Sequence, residues 1–229
     1  MKTIGLIGGM SWESTVTYYA LINEAVKEEL GGLHSAKILM YSVDFAEIED
    51  CQSKGEWERS GEILGDAARR LELAGADLIL VCTNTMHKVV PQIKKQIGIP
   101  LLHIAEALAA ELKWQKVNKV LLLGTKYTMT QDFYKEKLID GGINVLIPDL
   151  TDMEIINDII FNELCLGRIE EKSRQLFRQI IRKFPPGEIE GVVLGCTEIG
   201  LLVKQEDYIL QLFDTTYIHA AEAVRVSLG

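Results

Sequence analysis

Two apolar runs in this chain end in the same dipeptide. Leu78-Ile79-Leu80-Val81 leads into Cys82-Thr83, and Gly191-Val192-Val193-Leu194 leads through Gly195 into Cys196-Thr197. Short runs that are apolar throughout, without alternation, read as strands buried on both faces. A second pair of landmarks repeats at nearly the same distance. Gly124 closes Lys119–Gly124 (KVLLLG) 116 residues after Gly8 in Thr3–Gly9 (TIGLIGG), and Cys196 follows Thr83 by 113. Two landmark pairs with nearly one offset imply an internal duplication. The expected fold is therefore α/β: two pseudo-symmetric domains, each a mainly parallel sheet flanked by helices. Ligands in such folds bind at the carboxyl ends of the strands. The expected division is 1–104 for the first half, with the C-terminal helix 214–229 packing on it, and 105–213 for the second.

In the first half, strands are expected at Thr3–Gly9, Lys37–Val43, Asp77–Cys82 and Pro100–Ile104. Helices are expected from Met10 to about Leu30, over Gly55–Ala74 and over Met86–Gln96, while Phe45–Gln52 reads as a loop with a helical turn. In the second half, strands are expected at Lys119–Gly124, Ile143–Ile147, Glu190–Gly195 and Leu210–Asp214. Helices are expected at Ala105–Lys113, Tyr127–Asp140, Asp152–Gly167, Glu170–Lys183 (ended by Pro185-Pro186-Gly187), Ile199–Val203 and Thr216–Leu228.

Composition excludes several classes of function. A net charge of −9 over 229 residues argues against nucleic-acid partners and anionic membrane surfaces. Met1-Lys2 runs straight into the first strand, so no signal peptide is expected, and no apolar run approaches the roughly 18 residues of a membrane span. The cysteines Cys51, Cys82, Cys165 and Cys196 show no CxxC spacing and no nearby paired histidines, which argues against zinc. A cytoplasmic protein with reduced thiols is the expectation. The Gly5–Gly9 turn lacks the third glycine of a dinucleotide fingerprint, and Asp44 lies too far along for a ribose contact. A nucleotide-binding domain is accordingly the third-ranked reading. Backbone N–H groups beside Met10 and Ser11, at a helix start, suit a carboxylate better.

Among the thiols, Cys51 reads as part of a polar, exposed loop and Cys165 as structural. His34 and His103 read as solvated or structural, His87 as either structural or supporting the site, and His219 as capping a helix or lining the site. Cys196 differs in its setting: a strand end, Thr197 and Glu198, then a helix whose positive end favours a thiolate. A thiolate acting as a carbon base needs a lowered pKa and correct placement, not a paired imidazole.

GLIGGMSWEST, VCTNTMH and LGCTEIG together resemble the aspartate/glutamate racemase family of cofactor-independent racemases, in its bacterial Asp/Glu branch, across the whole chain. The resemblance implies two α/β domains with the active site in the interdomain cleft. It implies two cysteines working on opposite faces of the substrate Cα, with no pyridoxal phosphate and no metal. It implies a small-molecule substrate, an acidic amino acid, and a homodimer. Family members usually read Cys-Asn-Thr in the first motif; here the matching triplet is Thr83-Asn84-Thr85. The catalytic pair is then Thr83 and Cys196, with a rival alignment that keeps Cys82 in Thr83's place. By the same resemblance Met10, Ser11 and Gln52 lie at the substrate, Asn84, Thr85 and Thr197 hold the α-carboxylate, and Glu198 holds the ammonium group or tunes Cys196. Thr125 and Thr128 are weaker candidates. In the family the second-half cysteine serves the L face, so L-enantiomers should turn over faster than D. Rival readings are an amino-acid-binding protein of the same fold, or a hydantoin racemase, maleate isomerase or decarboxylase.

Overall fold

The structure is a computed structural model that describes residues 1–185 and 187–229. The elements run β1 (Ile4–Gly8), α1 (Trp12–Leu30), β2 (Ile38–Ser42), α2 (Phe45–Lys54), α3 (Trp57–Leu73), β3 (Leu78–Val81), a 3-10 turn (Thr85–Val89), α4 (Val90–Lys94) and β4 (Leu101–Leu102). There follow α5 (Ile104–Trp114), β5 (Lys119–Gly124), α6 (Lys126–Thr130), α7 (Asp132–Asp140), β6 (Asn144–Leu146), α8 (Leu150–Asn162), a 3-10 turn (Leu164–Leu166) and α9 (Glu171–Arg182). The chain closes with β7 (Gly191–Gly195), α10 (Ile199–Leu202), β8 (Gln211–Asp214) and α11 (Thr215–Leu228).

Two compact units result: Met1–His103 with His219–Gly229, and Ile104–Ile218. The sequence sets the division one residue later and returns the last helix from residue 214, a few residues before the structure does. Each unit carries a four-stranded, all-parallel sheet, in the orders β2-β1-β3-β4 and β6-β5-β7-β8. The two orders are the same pattern repeated, as the sequence offset predicts. In each sheet the chain steps outward from the first strand and then crosses to its other side. The switch point therefore lies between β1 and β3, and between β5 and β7, the place where ligands bind in folds of this kind.

Strand parity sorts the first sheet's core. Ile79 and Val81 of β3 face α2, α3 and α4, packing with Ile48, Leu64 and Val89. Leu78 and Leu80, with Cys82 continuing their side, face α1 and α11, packing with Tyr18, Ile22, Ala220 and Ala223. β3 ends at Val81, and Cys82 still packs on the Leu78 and Leu80 side, while Thr83 follows in the turn beyond the strand.

Several elements depart from the sequence reading. Phe45–Lys54 is a full helix, not a loop: Asp44 caps it through Ala46 N–H, and Gly55 ends it in the left-handed conformation at φ 73°. Cys51, on that helix, is buried and not exposed. The segment 127–140 is two helices, broken where Gln131 is extended. The stretch after Thr85 opens as a 3-10 turn and not as an α-helix. The helix expected over Asp152–Gly167 stops at Asn162, which leaves Cys165 on a 3-10 turn. β2 is an edge strand and leaves Met40, Tyr41 and Ser42 exposed, unlike the all-buried strands the sequence suggests. Of the expected stop Pro185-Pro186-Gly187, Pro186 lies outside the described residues.

Candidate active site

In the first unit the loop after β1 is built around Thr15. Its Oγ1 accepts from Gly9 N–H at 2.8 Å and donates to the Ser11 carbonyl at 2.9 Å. A Cβ at Gly8 would lie 2.3 Å from Thr15 Cγ2, and Gly9 has φ +91°. Both glycines thus serve the tight turn into α1, and Gly9 N–H is already taken. Ser11 caps α1, accepting from Ser14 N–H. The Met10 side chain packs into the core with Ile7 and Ile48, so only its backbone is placed to meet a ligand.

At the end of β3, Cys82 is fully buried in apolar surroundings, and burial pushes its thiol far up. Thr83 follows at the start of the turn. Its hydroxyl has no hydrogen-bond partner among the described residues, while its carbonyl meets His87 Nδ1 at 2.8 Å. Asn84 and Thr85 are buried beside it. Gln52, from α2, reaches the same turn: its Nε2 lies 2.9 Å from Met86 Sδ, a weak acceptor. The structure therefore brings Gln52 to the Thr83–Thr85 turn.

Three histidines lie under that turn. His87 and His103 stack edge to face with centroids 4.6 Å apart, and His87 and His219 do so at 5.6 Å. His219 Nε2 is 3.1 Å from the Leu102 carbonyl, and its Nδ1 is 2.8 Å from the Tyr18 hydroxyl. A carbonyl only accepts, so Nε2 carries the proton and Tyr18 donates to Nδ1. His219 is thus neither a cap nor a lining group but a buried neutral imidazole. Desolvation first, and then the neighbouring His87, take its pKa down to about 3. Tyr18 was not legible as part of this cluster, because its helical spacing marks it only as core.

In the second unit, β7 ends at Gly195 and Cys196, Thr197 and Glu198 follow, all three buried. Cys196 Sγ lies 3.0 Å from Glu198 Oε2, and Thr197 Oγ1 donates to the same oxygen at 2.8 Å. The expectation that a helix lowers the thiol pKa is corrected here. α10 is only four residues long, and the thiol faces a carboxylate. Burial and then Glu198 push Cys196 well above its ordinary value, with a smaller push from Cys165. Cys196 is here a thiol that donates to Glu198. In the loop after β5, Thr125 Oγ1 accepts from Thr128 N–H and caps α6, so both threonines are committed to that helix start. No three His, Cys, Asp or Glu side chains converge as a metal-ligand set among the described residues. No helix among them is long and apolar enough to cross a membrane.

A family model described as Asp/Glu/Hydantoin racemase matches residues 7–223. Among solved structures, the chain is similar to a candidate Asp/Glu racemase from Yersinia pestis, with 53% identity, a TM-score of 0.92 and full coverage of both chains. It is also similar to an aspartate racemase homologue from Pyrococcus horikoshii OT3, with 38% identity, a TM-score of 0.86 and full coverage of both. A glutamate racemase from Aquifex pyrophilus is 28% identical over 165 residues, 71% of this chain and 61% of that enzyme, so the match spans under two thirds of the relative's length.

Proposed function

The chain belongs to the Asp/Glu/hydantoin racemase family, and we propose that it racemises an acidic amino acid, aspartate or glutamate, by exchanging the α-proton without a cofactor. The observation that carries this reading is the contact of Cys196 Sγ with Glu198 Oε2. A thiol raised by burial is no base until its proton leaves, and the carboxylate 3.0 Å away is the place for it to go. In the L-to-D direction the thiol proton passes to Glu198, and the thiolate takes the α-proton from the L face. The carbanion then takes the Thr83 hydroxyl proton on the other face, and water reprotonates the Thr83 oxygen. Glu198 returns its proton to solvent, and Cys196 is again a thiol. Of the two roles open to Glu198, tuning Cys196 is the one its position supports.

The site is lopsided. An aliphatic alcohol is a far weaker acid than a thiol and is not ionised at working pH, so Thr83 removes a proton from carbon poorly and gives one up only because the carbanion is a much stronger base than a thiolate. L-substrates should therefore exchange faster than D-substrates, with the equilibrium unchanged. Ser11, Gln52, Asn84, Thr85 and Thr197 are assigned to substrate binding, Met10 through its backbone. The reading carries with it a cytoplasmic homodimer, measurable by sedimentation.

Proton–deuterium exchange at Cα in D₂O, followed by NMR with each enantiomer of aspartate and glutamate, tests it. Exchange into the L-forms that Cys196→Ser abolishes is the expected result. Binding of these amino acids without exchange would favour the second reading, an amino-acid-binding protein, which Thr83 in the place of a cysteine supports.

A further inference from the structure

His87 is buried, and its side-chain hydrogen bond to the Thr83 carbonyl spans the turn. Because the Thr83 carbonyl only accepts, the proton of His87 sits on Nδ1. That bond links residue 83 to residue 87 across the segment where β3 has ended and the 3-10 turn has begun. The His87 backbone closes the same turn, with its N–H donating to the Asn84 carbonyl at 3.1 Å. Thr83 itself lies outside any strand or helix ladder. The His87 ring in turn lies against two others: His103 at 4.6 Å and His219 at 5.6 Å between centroids. His219 cannot rotate without losing both Tyr18 and the Leu102 carbonyl. The wall behind His87 thus ties together α1, β4 and α11, three elements far apart in sequence.

We propose that His87 is the positioning residue for Thr83: its Nδ1–H holds the Thr83 carbonyl, so that the neighbouring hydroxyl stays aimed at the substrate carbon, while the Tyr18–His219 pair fixes the ring. The proposal rests on the reading that Thr83 serves the second face. It assigns to His87 no proton transfer. A displacement of about 1 Å at a reacting group can cost on the order of 10²-fold in rate. The loss should fall on one face of the reaction only. Cys196 belongs to the other unit, at the end of β7, so on the proposed reading it continues to remove and return the α-proton of L-substrates.

The partition between these outcomes is the measurement. L-aspartate and L-glutamate are incubated in D₂O, and deuterated L-product (exchange with retention) and deuterated D-product (inversion) are separated by chiral chromatography and weighed by mass spectrometry. His87→Leu removes the donor, and His87→Asn supplies an amide N–H near the Nδ1 position. The expected result is an inversion-to-retention ratio that falls about 10²-fold in His87→Leu and recovers to within a few fold of wild type in His87→Asn. A structural role alone would depress both products together and leave the ratio unmoved, which would overturn the proposal. Should His87→Leu not fold, His87→Gln, whose amide reaches further than Nδ1, replaces it: a ratio equal to that of His87→Asn would equally overturn the proposal. Wild-type protein that gives neither product would overturn the racemase reading itself, a result distinct from an unchanged ratio.

Discussion

Cys196 Sγ stands 3.0 Å from Glu198 Oε2, and the hydroxyl of Thr197 meets that same oxygen. The carboxylate raises the thiol's pKa and also offers its proton a destination. These two effects separate on substitution. Glu198→Gln removes the charge that holds the thiol protonated, so the thiolate of Cys196 should appear at lower pH than in wild type. Alkylation of the Cys196 peptide by iodoacetamide, followed by mass spectrometry across pH 6–10, reads that shift. The amide cannot take a proton, so α-proton exchange should fall by about 10²-fold, the lower end of what a general base contributes. A variant that exchanges faster in step with its thiolate would show that the carboxylate is not where the proton goes.

Thr83→Cys replaces a weak proton remover with a thiol at the same place. Exchange from D-aspartate or D-glutamate should rise, and that from the L-forms should change little. The ratio of L to D initial rates, read by NMR in D₂O, should move toward one while the equilibrium ratio stays fixed. An unchanged D-side rate means that Thr83 does not face the substrate carbon. The buried Cys82 tests the converse: Cys82→Ala should leave the partition alone and lower stability, because it deletes a sulfur packed among Leu80, Ala220 and Ala223.

How far the sequence carries depends on what each residue's role rests on. The duplication was legible because both halves repeat the same apolar run and the same dipeptide, and parallel strands buried on both faces admit little else. Strand parity alone does not part Cys82 from Thr83, because β3 ends at Val81 and the turn has begun; the burial of Cys82 beside Leu80 is what the fold adds. α2 was not legible as a helix, although its signals, Asp44 at the start and Gly55 at the end, stand in the sequence. Its polar residues outnumber its buried ones, which are only Ile48, Cys51 and Gln52. The state of Cys196 was beyond reach, since a helix start predicts a thiolate and only the fold shows how short α10 is and where Glu198 turns. The bond from Tyr18 to His219 spans 201 residues, and no local pattern encodes such a pair.

Tyr134 carries a different kind of prediction. Its ring is fully buried in the second unit among Leu108, Leu138 and Phe213, and its hydroxyl has no partner among the described residues. A buried hydroxyl left unpaired costs about 1–3 kcal/mol. Burial likewise drives its ionisation far up, so it stays neutral at any working pH. Tyr134→Phe removes the oxygen and keeps the ring, and should raise stability by about 1 kcal/mol, a shift of roughly 2–4 °C in the thermal midpoint for a chain of this size. A fall in the midpoint would reveal an ordered water on the hydroxyl.

His219 sets a limit on acid stability, and the sign follows from its two hydrogen bonds. In the fold it is neutral, with Nε2–H on the Leu102 carbonyl and Nδ1 accepting from Tyr18, so a second proton would break the Tyr18 bond at a fully buried ring. Its pKa is about 3 there, against 6.5 in the unfolded chain. Between those values the unfolded state holds a proton that the folded state refuses. Stability contributed by this group is complete above pH 6.5 and is lost at about 1.4 kcal/mol per pH unit below it, down to about pH 3. Urea unfolding of wild type and His219→Gln at pH 7, 6, 5 and 4 isolates the contribution of His219, because the other titrating groups are shared. The variant should start less stable at pH 7, having lost the fit between Tyr18 and Leu102, and the gap should close as pH falls. A gap that stays constant with pH would mean that His219 accepts a proton in the fold as readily as outside it.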